Sequence, residues 1–140
     1  MTAGDSVKVG DQLVAAEYGP LTLIDTVRWA GVQENLEEVH FDREFARKNS
    51  RMHTFIASGA YRQALLARAL TDRIGPRGRL LRLRVRHVAP TLEGDMLRYA
   101  ACVTETSKCA DGGTAISCDV EGKNQKDEQI LVGTCVVRVP

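Results

Sequence analysis

The chain has 140 residues, of which 19 are basic and 18 acidic, so its formal net charge is +1. This length suits one compact domain over residues 1–140 and is too short for two ordinary domains. A near-neutral charge argues against nucleic-acid binding, and the sequence has neither a long apolar run nor an export signal at its N-terminus. We therefore expect a cytoplasmic protein with no nucleic-acid or membrane partner.

An extended segment and a short helix are predicted first. Residues 7–13 form a turn leading into the extended segment, which continues through about Tyr18 before a glycine–proline pair ends it. Thr22 is the expected N-cap of the helix, with Asp25 three residues on in the capping-box position. The apolar pattern of this helix closes just before Gly31, so we expect the helix to end at about residue 30.

The next stretch concentrates polar side chains suited to proton transfer. An amide, three carboxylates and an imidazole fall within seven residues, and His40 follows Asn35 by five residues. A second short helix is predicted from Asp42, with an acidic first turn. An imidazole between two helix ends can exchange protons at neutral pH. His40 is therefore a candidate acid and base.

A long helix is predicted over Gly59–Ile74, where the sequence reads GAYRQALLARALTDRI. Ser58 is its expected N-cap, and a glycine–proline pair stops it after Ile74. Its apolar residues cover more than half of the helix circumference, so we expect burial on several sides, as if a sheet wrapped around it. These residues are Ala60, Ala64, Leu65, Leu66, Ala67, Ala69 and Leu70.

The last third of the chain predicts four antiparallel strands. In the first, the apolar residues Leu81, Leu83 and Val85 alternate with arginines, which indicates one apolar and one basic face. The other three are expected over residues 97–108, 114–124 and 130–139, separated by turn sequences. Together with the leading strand and the long helix, this order indicates an α+β fold with the helix packed on one sheet.

The four cysteines all fall in this strand-rich part, at Cys102, Cys109, Cys118 and Cys135. None forms a C-x-x-C pair and no histidine follows them, so we expect no metal site. Reduced cysteines on strands are the expected state, and a disulfide between neighbouring strands is the alternative.

Four segments carry motifs in a characteristic order: residues 6–11 (SVKVGD), 29–46 (WAGVQENLEEVHFDREFA), 55–59 (FIASG) and 86–95 (RHVAPTLEGD). In this order they resemble segments of the MaoC-like, or R-specific enoyl hydratase, branch of the hot-dog fold. The first is similar to its VGD turn, and the second to its stretch with an Asp and a His five residues apart. The third resembles its Ile-Ala-His-Gly segment before the central helix, and the fourth its Phe-x-x-Pro-Val-x-x-Gly-Asp segment. The resemblance covers nearly the whole chain.

The resemblance implies an α+β hot-dog fold, in which an antiparallel sheet wraps around one long central helix, usually in a dimer. It also implies a hydratase or dehydratase of 2-enoyl or 3-hydroxyacyl thioesters, carried on coenzyme A or an acyl carrier protein, with no cofactor. The expected partners are the acyl-CoA or acyl carrier protein, together with a second identical chain or another hot-dog chain.

The family's functional positions can be carried over by residue. His40 takes the His position, and Asp42 matches an Asp that we interpret as structural. Gly59 takes the position of the helix-start glycine, whose backbone N–H polarises the thioester carbonyl. Asn35 stands at the family's catalytic Asp, which together with the His holds and activates the water. Ser58 stands where the loop usually has His, and we include it among the substrate-binding candidates.

Asn35 leaves three interpretations open, because an amide can hold a water but cannot accept a proton as a carboxylate does. In the first, His40 is the single acid and base, and Glu34, beside the lost Asp, or Glu37 compensates. In the second, the chain is a catalytically silent hot-dog subunit that binds an acyl thioester or partners an active hydratase. In the third, the pocket performs another reaction such as thioester hydrolysis, although residues 59–70 carry no carboxylate for it.

Each of these residues also has a purely structural interpretation. His40 can cap or pack, Asn35 can cap the turn after the first helix, and the glutamates can form a solvated loop. His53 and His87 have no supporting pattern. Arg82, Arg84 and Arg86 either form a solvated face or anchor the phosphates of the thioester carrier, where guanidinium groups suit bidentate contacts.

Overall fold

A computed structural model describes residues 7–140, so Ser6 of the SVKVGD segment lies outside the described residues. A five-stranded antiparallel sheet in the order β1-β3-β4-β5-β2 packs against the helix α3. This is the α+β hot-dog architecture, as predicted. The elements are β1 (Gln12–Tyr18), α1 (Leu23–Gln33), a 3-10 turn (Glu38–His40), α2 (Arg43–Asn49), α3 (Gly59–Ile74), β2 (Arg79–His87), β3 (Leu97–Lys108), β4 (Thr114–Lys123) and β5 (Gln129–Val139).

The central helix α3 has the predicted bounds. Ser58 caps it by accepting a hydrogen bond from the Tyr61 N–H at 3.1 Å, and Gly75 ends it with a φ of 75°. Its fully buried residues lie on the side that faces the sheet: Arg62, Leu66, Ala69, Leu70 and Ile74. The expected burial on several sides holds only in part for the chain taken alone, because Ala60 is exposed and Ala64, Leu65 and Ala67 are half-buried. The buried Arg62 was not foreseen.

The strand β2 departs from the predicted alternation at its start. The pairing register shifts between Leu80 and Arg82, so Leu80 packs on the core while Leu81 is 54% exposed. A β-bulge of this kind turns the residue that follows it to the other face of the strand. From Leu83 onward the predicted alternation holds.

The helix α1 is longer than the sequence indicated. Thr22 and Asp25 form the predicted capping box, but the helix passes through Gly31 and ends at Glu34, which adopts a left-handed φ of 53°. The Glu34 N–H bonds the Ala30 carbonyl there, so a left-handed residue other than glycine closes the helix. The short 3-10 turn that contains His40 was also not predicted.

The cysteines are free thiols, as expected. Cys118 and Cys135 face each other across β4 and β5 and are both buried. The neighbouring Cys135, and after it burial, raises the pKa of the Cys118 thiol, which therefore stays protonated. In residues 7–140 no cluster of side chains suited to a metal ion occurs, and none of the helices is long and apolar enough to cross a membrane.

Candidate active site

His40 is held between the end of α1 and the start of α2. Its Nδ1 lies 2.8 Å from the Ile56 carbonyl oxygen, which accepts the hydrogen bond, and its side chain is 17% exposed. Since a carbonyl can only accept, Nδ1 carries the proton in the neutral ring, and Nε2 is left as a proton acceptor. The loop thus fixes both the orientation and the tautomer of this imidazole.

A narrow cavity brings together three of the predicted site residues, His40, Asn35 and Ser58. Its volume of about 10 Å³ is close to the minimum that holds one water molecule. Polar groups from two helix ends and the 3-10 turn meet there, which is the setting a bound water needs. The lining residues are Thr26, Trp29, Ala30, Gln33, Asn35, His40 and Ser58.

The amide of Asn35 has a structural bond as well as a place in the cavity. Its Oδ1 accepts a hydrogen bond from the Glu37 N–H at 3.2 Å, which closes the turn after α1. Its Nδ2 has no hydrogen bond among the described residues. The amide can therefore donate a hydrogen bond to a water in the cavity, but it has no proton-accepting group to offer.

The glutamates around Asn35 are not equivalent. Glu34 is exposed at the left-handed end of α1 and does not line the cavity. Glu37 lies beside the imidazole instead, with its Oε2 3.6 Å from His40 Nε2, although its side chain is 71% exposed. Of the two, Glu37 is therefore the carboxylate that lies near His40, although neither lines the cavity.

The start of α3 presents Gly59 beside the capping residue Ser58, which is buried. The first N–H groups of a helix have no partner within the helix and attract negative charge. Gly59 is also required by close packing, because a Cβ there would lie 2.9 Å from His87 Nε2.

The predicted arginine face lies apart from the cavity. Arg82, Arg84 and Arg86 are exposed on β2, an edge strand, and alternate with residues that face the core. None of the three lines the cavity or forms an ion pair within residues 7–140. The three guanidinium groups are therefore accessible to a charged group of a bound molecule, but they do not line the cavity beside His40.

The structure adds two candidates, Arg62, which the sequence did not single out, and His87, which had no supporting pattern in the sequence. Arg62 is 5% exposed, and burial lowers its pKa. Burial first, and then the charge of Arg62, lowers the pKa of His87, which favours the neutral ring. A signal for His87 was present in the sequence, since this residue stands at the Phe position of the Phe-x-x-Pro motif. No such signal marked Arg62, which is one of several arginines in a helix rich in alanine and leucine.

An ion pair supports the loop on the other side of His40. Arg43, at the start of α2, makes a two-point contact with Glu93, and the Thr54 hydroxyl donates to the same carboxylate at 2.8 Å. The hydrogen bonds from Arg43 are the main reason that the pKa of Glu93 falls to about 2. The segment before α3 is thereby tied to the turn before β3.

Comparison with known proteins shows the family to which this chain belongs. The family described as the MaoC like domain matches residues 6–130, so the chain belongs to it. No curated protein sequence matches the chain. Membership in this family supports hydratase or dehydratase activity at the level of the reaction class.

Several solved structures share the fold. The R-hydratase PhaJ1 from Pseudomonas aeruginosa is 26% identical, with a TM-score of 0.77 over 96% of this chain and 83% of that one. The (R)-hydratase from A. caviae involved in PHA biosynthesis is 19% identical, with a TM-score of 0.84 over 98% of this chain and 100% of that one. The ChsH1-ChsH2 complex from Mycobacterium tuberculosis contains a chain 19% identical, with a TM-score of 0.81 over 96% and 100% of the respective chains.

Proposed function

We propose that the chain hydrates 2-enoyl thioesters, and dehydrates 3-hydroxyacyl thioesters in reverse, with His40 as the single acid and base. The observation that carries this proposal is the tautomer of His40. Its Nδ1–H is engaged by the Ile56 carbonyl, and its Nε2 is left to accept a proton beside a cavity that suits one water.

In the forward direction, His40 Nε2 takes a proton from the water while the water oxygen bonds to the β-carbon of the enoyl group. The electron pair of the C=C bond moves toward the thioester carbonyl, whose oxygen gains negative charge. The proton on Nε2 then passes to the α-carbon, which restores both the imidazole and the thioester. The reaction balances without a cofactor or metal, so we expect a chelator to leave the rate unchanged.

The two neighbours of His40 have supporting roles. The Asn35 amide donates a hydrogen bond to the water, and the Glu37 carboxylate stabilises the imidazolium that forms when Nε2 is protonated. On the carbonyl side, the backbone N–H of Gly59 faces the developing negative charge, because unpaired helix N–H groups are preorganised donors. Ser58, the residue before Gly59, lines the cavity beside His40.

The test compares His40→Ala with His53→Ala. We expect the His40 variant to lose about 10²- to 10⁴-fold in kcat/KM for crotonyl or longer enoyl thioesters, the usual contribution of a general base. His53 is exposed and does not line the cavity, so its variant should match the parent. Equal activity of the parent and the His40 variant would refute the proposal. Free-thiol release in the same assay would reveal thioester hydrolysis instead.

A second candidate is a silent hot-dog subunit paired with an active one, and two observations favour it. The cavity holds amides where a carboxylate is expected. The edge strand β2 has no neighbour on its outer side among the described strands, and Leu81 and Val88 near it are exposed. Saturable binding of an acyl-CoA without turnover by the purified chain would favour this candidate.

We also propose that the active form is a dimer, with an identical chain or with another hot-dog chain. Coenzyme A or an acyl carrier protein would carry the acyl group, and its phosphates would meet Arg82, Arg84 and Arg86 on the exposed face of β2. A variant with all three replaced by Gln should raise KM for the carrier-linked substrate with little change in kcat.

A further inference from the structure

The first turn of α3 buries a positive charge that has no carboxylate partner among the described residues. The Nη1 group of Arg62 donates to the Ala89 carbonyl at 2.6 Å, and oxygens of Thr91 and Ile130 lie 3.4 and 3.5 Å away. Its Nε–H is fully buried and has no hydrogen-bond acceptor within residues 7–140. Leaving such a buried donor unpaired costs free energy, so a partner close by is expected.

His87 supplies a matching group. Its Nδ1 is buried and has no hydrogen-bond partner in the part of the chain that the structure describes, and its Nε2 edge packs against Gly59, 2.9 Å from the position of a Cβ there. Gly59 and Arg62 are three residues apart in α3 and so share one face of the helix. A buried donor without an acceptor and a buried ring nitrogen without a donor therefore lie on the same side of the first turn.

We propose that in solution Arg62 Nε–H donates to His87 Nδ1 and fixes this imidazole as the neutral tautomer with its proton on Nε2, beside Gly59. The Nε2–H is then a second donor, next to the Gly59 N–H, for the thioester oxygen as it gains negative charge. No proton passes to or from His87 in the reaction. This inference rests on the proposed hydratase function.

The chemistry favours such an arrangement. A neutral imidazole that donates to a developing oxyanion is preorganised and needs no rearrangement during the reaction. The charge of Arg62, which has no carboxylate partner among residues 7–140, acts on the same oxygen, and Coulomb interactions are stronger in a protein interior than in water. His87 would then serve where the Phe of the Phe-x-x-Pro motif could only fill space.

A purely structural role would also explain the burial, because Arg62 ties α3 to the segment before β3 and the His87 ring fills the space over Gly59. The tautomer separates the two explanations without any activity measurement. In long-range ¹H–¹⁵N spectra of the full chain, we expect His87 to be neutral, with Nε2 protonated and Nδ1 accepting a hydrogen bond. The Arg62→Met variant should shift the Nδ1 resonance. A proton on Nδ1, or no response to Arg62→Met, would overturn the pairing.

Kinetics test the donor role. We expect His87→Phe to lower kcat by roughly 10²-fold, as the loss of one oxyanion donor does, with KM unchanged. His87→Gln, which keeps an N–H donor, should recover part of that loss, and His53→Phe should match the parent. A His87→Phe variant with the kcat of the parent would overturn the donor role while a loss in His40→Ala still upheld the hydratase. A parent with no hydratase activity would overturn both, and the tautomer would still decide the pairing.

Discussion

The first turn of α3 and the rest of the same helix bury opposite kinds of side chain. After the first turn, the buried face consists of Leu66, Ala69, Leu70 and Ile74, packed on the sheet. In the first turn it carries Arg62, with His87 against Gly59. Burial of apolar groups stabilises the fold, whereas burial of polar groups costs free energy unless they are hydrogen-bonded. The contrast indicates that the later turns stabilise the fold, and it leaves the first turn with the polar groups that the proposed chemistry uses.

The largest effect on stability is expected when a buried side chain is truncated in the apolar turns of α3. Leu70 is completely buried, so Leu70→Ala should lower the free energy of unfolding by about 2–5 kcal/mol in urea titrations. The same substitution at Leu81, which is 54% exposed, should cost well under half as much. Equal effects at the two positions would mean that the core does not lie under α3.

A second test introduces a carboxylate at position 35, in the cavity beside His40. Asn35→Asp keeps the acceptor for the Glu37 N–H and adds a proton acceptor to the cavity. We expect hydratase kcat to rise by roughly 10-fold or more, since a general base contributes about 10²- to 10⁴-fold. Asn49→Asp, on α2 and away from the cavity, is the matched control. An unchanged rate would show that the pocket serves a different substrate or reaction.

A smaller effect should distinguish the two glutamates. Glu37→Gln removes the carboxylate 3.6 Å from His40 Nε2, so kcat should fall by about two- to fivefold, as expected for an exposed charge pair. Glu34→Gln should leave kcat as it is, because Glu34 is exposed and forms no ion pair or hydrogen bond with His40. The reverse result would support the role that the sequence alone gave to Glu34.

The smallest effect concerns the pH dependence of stability at the Glu93 ion pair. Because Arg43 and Thr54 hold the folded pKa of Glu93 at about 2, below its ordinary value near 4.5, the pair stabilises the fold above that ordinary value. This contribution is lost as the pH falls from about 4.5 to 2. Urea midpoints of the parent should therefore decline more steeply in that window than those of Glu93→Gln. Parallel declines would mean that the pair is absent in solution.

Much of the fold could be predicted because its signals are local. The capping box at Thr22 and the Ser58 cap with the glycine stop of α3 each depend on residues within one helical turn of one another. The later strands were placed to within about a residue for the same reason, since alternation and turn residues mark them. The end of α1 was misjudged, because Glu34 took the left-handed conformation that glycine usually adopts.

The candidate site could be predicted only in outline. The structure places His40, Asn35 and Ser58, all candidates from the sequence, around one cavity. Their chemical roles stay predictions. The choice between Glu34 and Glu37 depended on the course of a three-residue 3-10 turn, which no sequence pattern marked.

By itself the sequence determined which segments become helices and strands, where α3 begins and ends, and which family the chain resembles, because caps, periodicity and motifs act over a few residues. Only the tertiary structure decided that Leu81 faces outward, that Arg62 is buried and that His87 packs on Gly59. Those outcomes depend on strand register and on contacts between residues 28 positions apart. A bulge of one residue reverses which face a side chain takes.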